Sequence, residues 1–99
     1  MKQQPAIPPK KLEAAIEQMR SESAEPKQIT ELRMIRNFYG MSVIQLSRAL
    51  APYVVLTPQS VWNILDKKST TKKTLAALHI WLMEVGRKKF PLPEEAYND

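Results

Sequence analysis

The chain has 99 residues, with 15 Lys and Arg against 10 Asp and Glu, 43% hydrophobic residues, one His and no Cys. That is the size and composition of one globular domain; it excludes a disulfide framework and a thiolate metal site, and one His leaves little for zinc or histidine-based catalysis. No apolar run approaches the roughly 18 residues of a membrane span and residues 1–9 lack the apolar core of a secretory signal, so the expectation is a cytoplasmic protein with no membrane partner.

In chain order, the periodicity predicts helices and no clear strand. Residues 1–8 read as a flexible arm. From Pro9 to about residue 21, Leu12, Ala15, Ile16 and Met19 share one face of an accessory amphipathic helix, and the proline-ended stretch to residue 26 breaks it. A second helix is expected over 27–39, burying Ile29, Leu32, Ile35 and Tyr39, with Gly40 as its stop. Ser42 is placed to cap a third helix to about Leu50, with Ile44 or Val43, Leu46, Ala49 and Leu50 inward. Seven residues, 51–57, then lead to a short helix over 58–66. Thr57 serves as its N-cap and Pro58 suits the first helical position, where a missing N–H costs nothing.

The last helix is expected over 71–86. Projected at about 100° per residue, Leu75, Leu78, His79, Leu82 and Val85 form its core stripe, widened by Ala76, Ile80 and Met83 on one side and Trp81 on the other. A stripe that wide needs two neighbours, so Ile80 and Trp81 either cover the N-terminal helix or form the seam of a homodimer. His79 reads as a hydrogen-bonded core histidine. Arg87, Lys88 and Lys89 complement the helix C-terminus, and 90–99 is too broken by proline to extend it. The fold class is therefore all-α, a compact bundle of about five helices with an extra N-terminal one. Residues 27–86 form its main domain, flanked by the 9–26 accessory segment and a basic-then-acidic tail over 87–99.

Charge sharpens the functional reading. Residues 57–89 hold seven bases and two acids, residues 27–56 four bases and one acid, and residues 90–99 three acids and no base. Within the positive region, Val61, Ile64 and Leu65 form the inward stripe of helix 58–66, leaving Gln59, Trp62 and Asn63 outward with Ser60 to one side. Gln and Asn amides pair bidentately with adenine in the major groove, and Lys67, Lys68, Lys72 and Lys73 follow at once. Trp62 either packs on a sugar or thymine methyl, or is covered by Tyr53 and Val54. The chain has no nucleophile–base arrangement, so no enzyme and no cofactor are expected.

Residues 32–66 resemble the helix-turn-helix domain of the lambda-repressor and Cro family of phage-type regulators. Leu32, Arg33, Arg36, Gly40, Met41 and Ser42 are similar to that family's first helix and its glycine-ended turn; Ile44, Leu46, Ala49 and Leu50 to its second helix; Thr57 to Ile64 to its recognition helix. The resemblance implies a sequence-specific, double-stranded DNA-binding transcriptional regulator, a repressor-like homodimer whose 58–66 helix enters the major groove. It implies base or phosphate contacts for Thr57, Gln59, Ser60 and Asn63, and for Ser42 backbone N–H groups offered to phosphate. Arg36 matches an arginine that in the family often pairs with an acid at the end of the recognition helix, where this chain has Leu65 followed by Asp66. The seven-residue connection is longer than the family's usual three or four. A helix-turn-helix scaffold used for protein binding, as an anti-repressor or adaptor partnered through the tail, or a DNA-binding antitoxin, are the competing readings.

Overall fold

The structure, a computed structural model, describes residues 7–19 and 26–97. The arm over 1–6, the break over 20–25 and the side chain of Met19 lie outside the described residues. The described chain is all-helical, with no strand: α1 Pro9–Met19, α2 Lys27–Tyr39, α3 Val43–Leu50, α4 Pro58–Lys67, α5 Lys72–Trp81, a π-helical turn Leu82–Gly86, α6 Arg87–Lys89 and a last turn α7 Glu94–Tyr97.

Local signals set the central boundaries. Gly40 closes α2 in the left-handed region at φ 61°, and the Met41 amide donates to the Arg36 carbonyl at 2.9 Å; glycine adopts that φ without a Cβ clash. Two residues on, Ser42 and Gln45 form a reciprocal capping box: the Gln45 amide donates to Ser42 Oγ at 3.1 Å and the Ser42 amide to Gln45 Oε1 at 2.9 Å. Both groups satisfy helix-end donors that would otherwise face only water. Thr57 caps α4 with Pro58 at its first position, and Thr71 caps α5 in the same way.

α5 is the axis of the molecule. One side of it enters the main core with Leu32 and Ile35 of α2, Leu46 and Leu50 of α3 and Val61 of α4, to which it gives Leu78 and Trp81. Its other side carries Ala76 and Ile80, which pack against Ala15 of α1 with Leu12 and Ile16 alongside. The small side chains at 15 and 76 let the two helices approach closely. Ile7, from the expected arm, is half-buried in that same cluster.

Three expectations are corrected. First, Ile80 and Trp81 are not available as a dimer seam: they are 4% and 0% exposed, Ile80 under α1 and Trp81 at the centre of the core. The Trp81 indole N–H donates to the Ala49 carbonyl at 3.0 Å, which pairs its polar edge inside an apolar site with an acceptor from the last turn of α3. Second, Gly86 does not end the last helix, which runs through the π turn to Lys89. A Cβ at Gly86 would stand 2.6 Å from the Trp81 ring, so the glycine makes room for the indole. The buried stripe is accordingly Ala76, Ala77, Leu78, Ile80, Trp81 and Leu82, with Leu75, His79 and Val85 half-buried and Met83 exposed. Third, Tyr39 is 40% exposed. It lies edge-on to Phe90 and donates its hydroxyl to the Pro91 carbonyl, holding the start of the tail against α2. Of the α3 pair, Val43 turns inward and Ile44 outward.

Beyond the core, Arg87 lies in the last turn of α6 with Lys88 and Lys89, as expected, and has a second role. Its guanidinium donates to both carboxylate oxygens of Glu31, at 2.9 and 3.0 Å, and ties α6 to α2. The Gln28 amide nitrogen lies 3.2 Å from His79 Nδ1; an amide NH₂ only donates, so Nδ1 accepts, as a core histidine would.

Candidate nucleic-acid interface

The polar groups of α4 divide into those that hold the helix and those left for a partner. Thr57 Oγ1 accepts from the Ser60 amide at 3.0 Å and donates to Ser60 Oγ at 2.9 Å. Both hydroxyls therefore help to start the helix, and Ser60 keeps its own O–H donor free among the described residues. Ser42 likewise serves its capping box, which leaves the amides of Val43 and Ile44 as the α3 donors facing outward at that end.

The outer face of α4 is what remains. Gln59 is exposed and Asn63 half-buried, and one turn apart they touch: Gln59 Nε2 donates to Asn63 Oδ1 at 3.3 Å. The pair leaves Gln59 Oε1 and the Asn63 amide N–H groups as an acceptor and donors along one line. Trp62 is 49% exposed. Tyr53 and Val54 do not cover it; they pack inward against the main core. Trp62 instead stands beside α2, lining a cleft with Arg33, Arg36, Asn37, Leu65 and Asp66. Arg36 and Asp66 share that cleft without forming an ion pair among the described residues.

Lys67, Lys68, Lys72 and Lys73 are all exposed, and none has an acidic partner among the described residues. Lys67 ends α4, Lys68 is its C-cap and Lys72 and Lys73 open α5, so four ammonium groups bracket the α4–α5 turn. Lys68 holds the left-handed conformation, φ 58°, the one non-glycine among the described residues to do so.

The 51–57 connection, unusual in length, is tied down. The amides of Tyr53 and Val54 both return to the Leu50 carbonyl at 2.9 Å, continuing the end of α3. The Tyr53 hydroxyl donates to Glu84 Oε1 at 2.8 Å, and Glu84 Oε2 also pairs with Lys11 of α1. One carboxylate on the π turn thus joins α1, the connection and the last helix. Residue-type reasoning singled out the α4 face, the lysines and an Arg36 set against the end of α4, but missed Glu84 and the α2 face that Arg33 and Asn37 share with Arg36. That shared helical face was a visible signal; Glu84 had none.

Comparison with protein-family models, with curated proteins and with solved structures finds no match to this chain.

Proposed function

We propose that this chain is a sequence-specific, double-stranded DNA-binding regulator in which α4 enters the major groove. Gln59 and Asn63 read base edges, and Lys67, Lys68, Lys72 and Lys73 hold phosphates beside them. The observation that carries the reading is the hydrogen-bonded pair of exposed Gln59 and half-buried Asn63 on a side-chain-capped helix, followed directly by four exposed lysines with no acidic partner among the described residues. Amides supply base readout and lysines the sequence-independent affinity. Thr57, Ser60 and Ser42 contribute by holding α3 and α4, with Ser42 at a helix end whose free amides suit a phosphate. The similarity of residues 32–66 to lambda-repressor and Cro domains points the same way. Two copies would read a two-fold site; Ile80 and Trp81, being in the core, are not assigned to their contact.

A salt titration tests the lysines. Affinity for duplex DNA should fall linearly on a log–log plot against salt, with a slope of about −0.9 per neutralised phosphate. Replacing Lys67 and Lys72 with Gln should flatten that slope by roughly two phosphates and weaken random and selected duplexes alike. A slope near zero in the wild type would remove DNA from the proposal. The exposed Phe38, Ile44 and Val55 favour a second reading, a scaffold used to bind another protein. On that reading duplex affinity shows no preference for any sequence.

A further inference from the structure

The flank of α4 opposes α2 across a cleft of about 200 Å³ lined by Arg33, Arg36 and Asn37 from one helix and Trp62, Leu65 and Asp66 from the other. Each trio is spaced i, i+3, i+4, so each helix contributes one continuous face. Both arginines are half-buried, and Arg33 Nη2 and Arg36 Nε are closed off from solvent with no acceptor among the described residues. A guanidinium is always charged and carries only donors; with these two nitrogens closed off, a group in the cleft meets the arginines through their other nitrogens. Asp66 is exposed and pairs with neither arginine among the described residues. The site is left with two cations against one carboxylate, beside an indole and a leucine.

We propose that this cleft binds a small aromatic carboxylate. The carboxylate takes the remaining N–H groups of Arg33 and Arg36, charged donors that suit it. The ring lies against Trp62 and Leu65, where the offset contact of two aromatic systems adds to apolar burial. The size fits: a cavity of about 150 Å³ accepts one benzene ring, so this cleft has room for one ring and its acid group. Because Trp62 sits between Gln59 and Asn63 and the cleft, occupancy would alter the face that reads DNA. That consequence rests on the proposed DNA reading; the site itself does not.

The test follows the two indole N–H resonances of the full-length protein, without DNA, during titration with benzoate at constant ionic strength. Benzamide and inorganic phosphate are titrated in parallel. The expected result is a saturable shift of Trp62 with Trp81 unmoved, benzamide at least tenfold weaker and phosphate weaker than benzoate. Arg33→Gln with Arg36→Gln should weaken benzoate at least tenfold. Arg33→Lys with Arg36→Lys, which retains the charges, should weaken it as well and covers the case in which the first variant does not fold. An unmoved Trp62, benzamide binding as well as benzoate, phosphate binding more tightly, or undiminished binding in the lysine variant would each overturn the proposal. Loss of duplex binding with benzoate binding intact would count against the DNA reading alone; intact duplex binding with no benzoate site would count against the cleft alone.

Discussion

Trp81 and Gly86 are five residues apart and depend on each other. The indole is wholly buried, and the missing side chain at 86 is the space its ring occupies, with a Cβ there meeting ring carbons at 2.6 and 3.0 Å. Alanine is a better helix residue than glycine by about 1 kcal/mol, but overpacking a closed core costs roughly 1–3 kcal/mol. Packing should win, so Gly86→Ala is expected to lower the thermal midpoint by several degrees; a rise would show that the ring can move aside. Lys68 gives the opposite case. Its left-handed φ of 58° costs a side-chain-bearing residue roughly 1–2 kcal/mol, and the residue is exposed. Lys68→Gly should therefore raise the midpoint by about 4–8 °C for each kcal/mol gained, while weakening duplex binding through the lost charge. Stability and affinity moving in the same direction would contradict that assignment.

At the scale of elements, the feature that decides how α4 is presented is the connection before it. Tyr53 and Glu84 link it to the π turn, and Lys11 joins the same carboxylate. These groups are partly exposed, and such pairs are worth at most about 1 kcal/mol each, so their value lies in position more than in stability. Tyr53→Phe should leave the midpoint within a few degrees of wild type while speeding hydrogen exchange of the 54–56 amides; unchanged exchange would mean that the connection is held by packing alone. The boundaries of α2, α3 and α4 were legible in the sequence because their causes are local: Gly40, the Ser42–Gln45 box and the Thr57–Pro58 start each act within one turn. The last helix was legible in its existence and in most of its buried face: Ala76, Leu78, Ile80, Trp81 and Leu82 are buried as expected, while Leu75, His79 and Val85 are half-buried and Met83 exposed. The helical period did not give the burial of Ala77 or the indole-sized gap at Gly86. The α2–α4 cleft was legible only in part: Arg36 was set against the end of α4 by the resemblance, but that Trp62 and Leu65 line the same space depends on how the two helices pack. The hydroxyls of Thr57 and Ser60 show the same limit: residue type suggested groups for a partner, and only the geometry shows that they also start α4.

At the scale of the whole molecule, two apolar clusters share α5, and the charge lies apart from both. Ile80→Ala should cost about 2–5 kcal/mol, as buried Ile or Leu truncations do, without altering association in light scattering. A change in association at unchanged stability would return Ile80 to a seam between copies. The exposed lysines around the α4–α5 turn and the amide pair on α4 are the surface on which the proposed function depends, and they predict separable losses. The most direct measurement selects duplexes from a random library with the full-length protein. It then compares binding of the selected and a shuffled duplex by wild type and by the variant carrying Gln59→Ala and Asn63→Ala, at one salt concentration. The account predicts that wild type prefers the selected duplex by about 10³-fold or more. It predicts further that the variant loses roughly 1–3 kcal/mol per bidentate contact on that duplex, with binding to the shuffled one nearly unchanged. Failure to enrich any sequence, or equal loss on both duplexes, would contradict it.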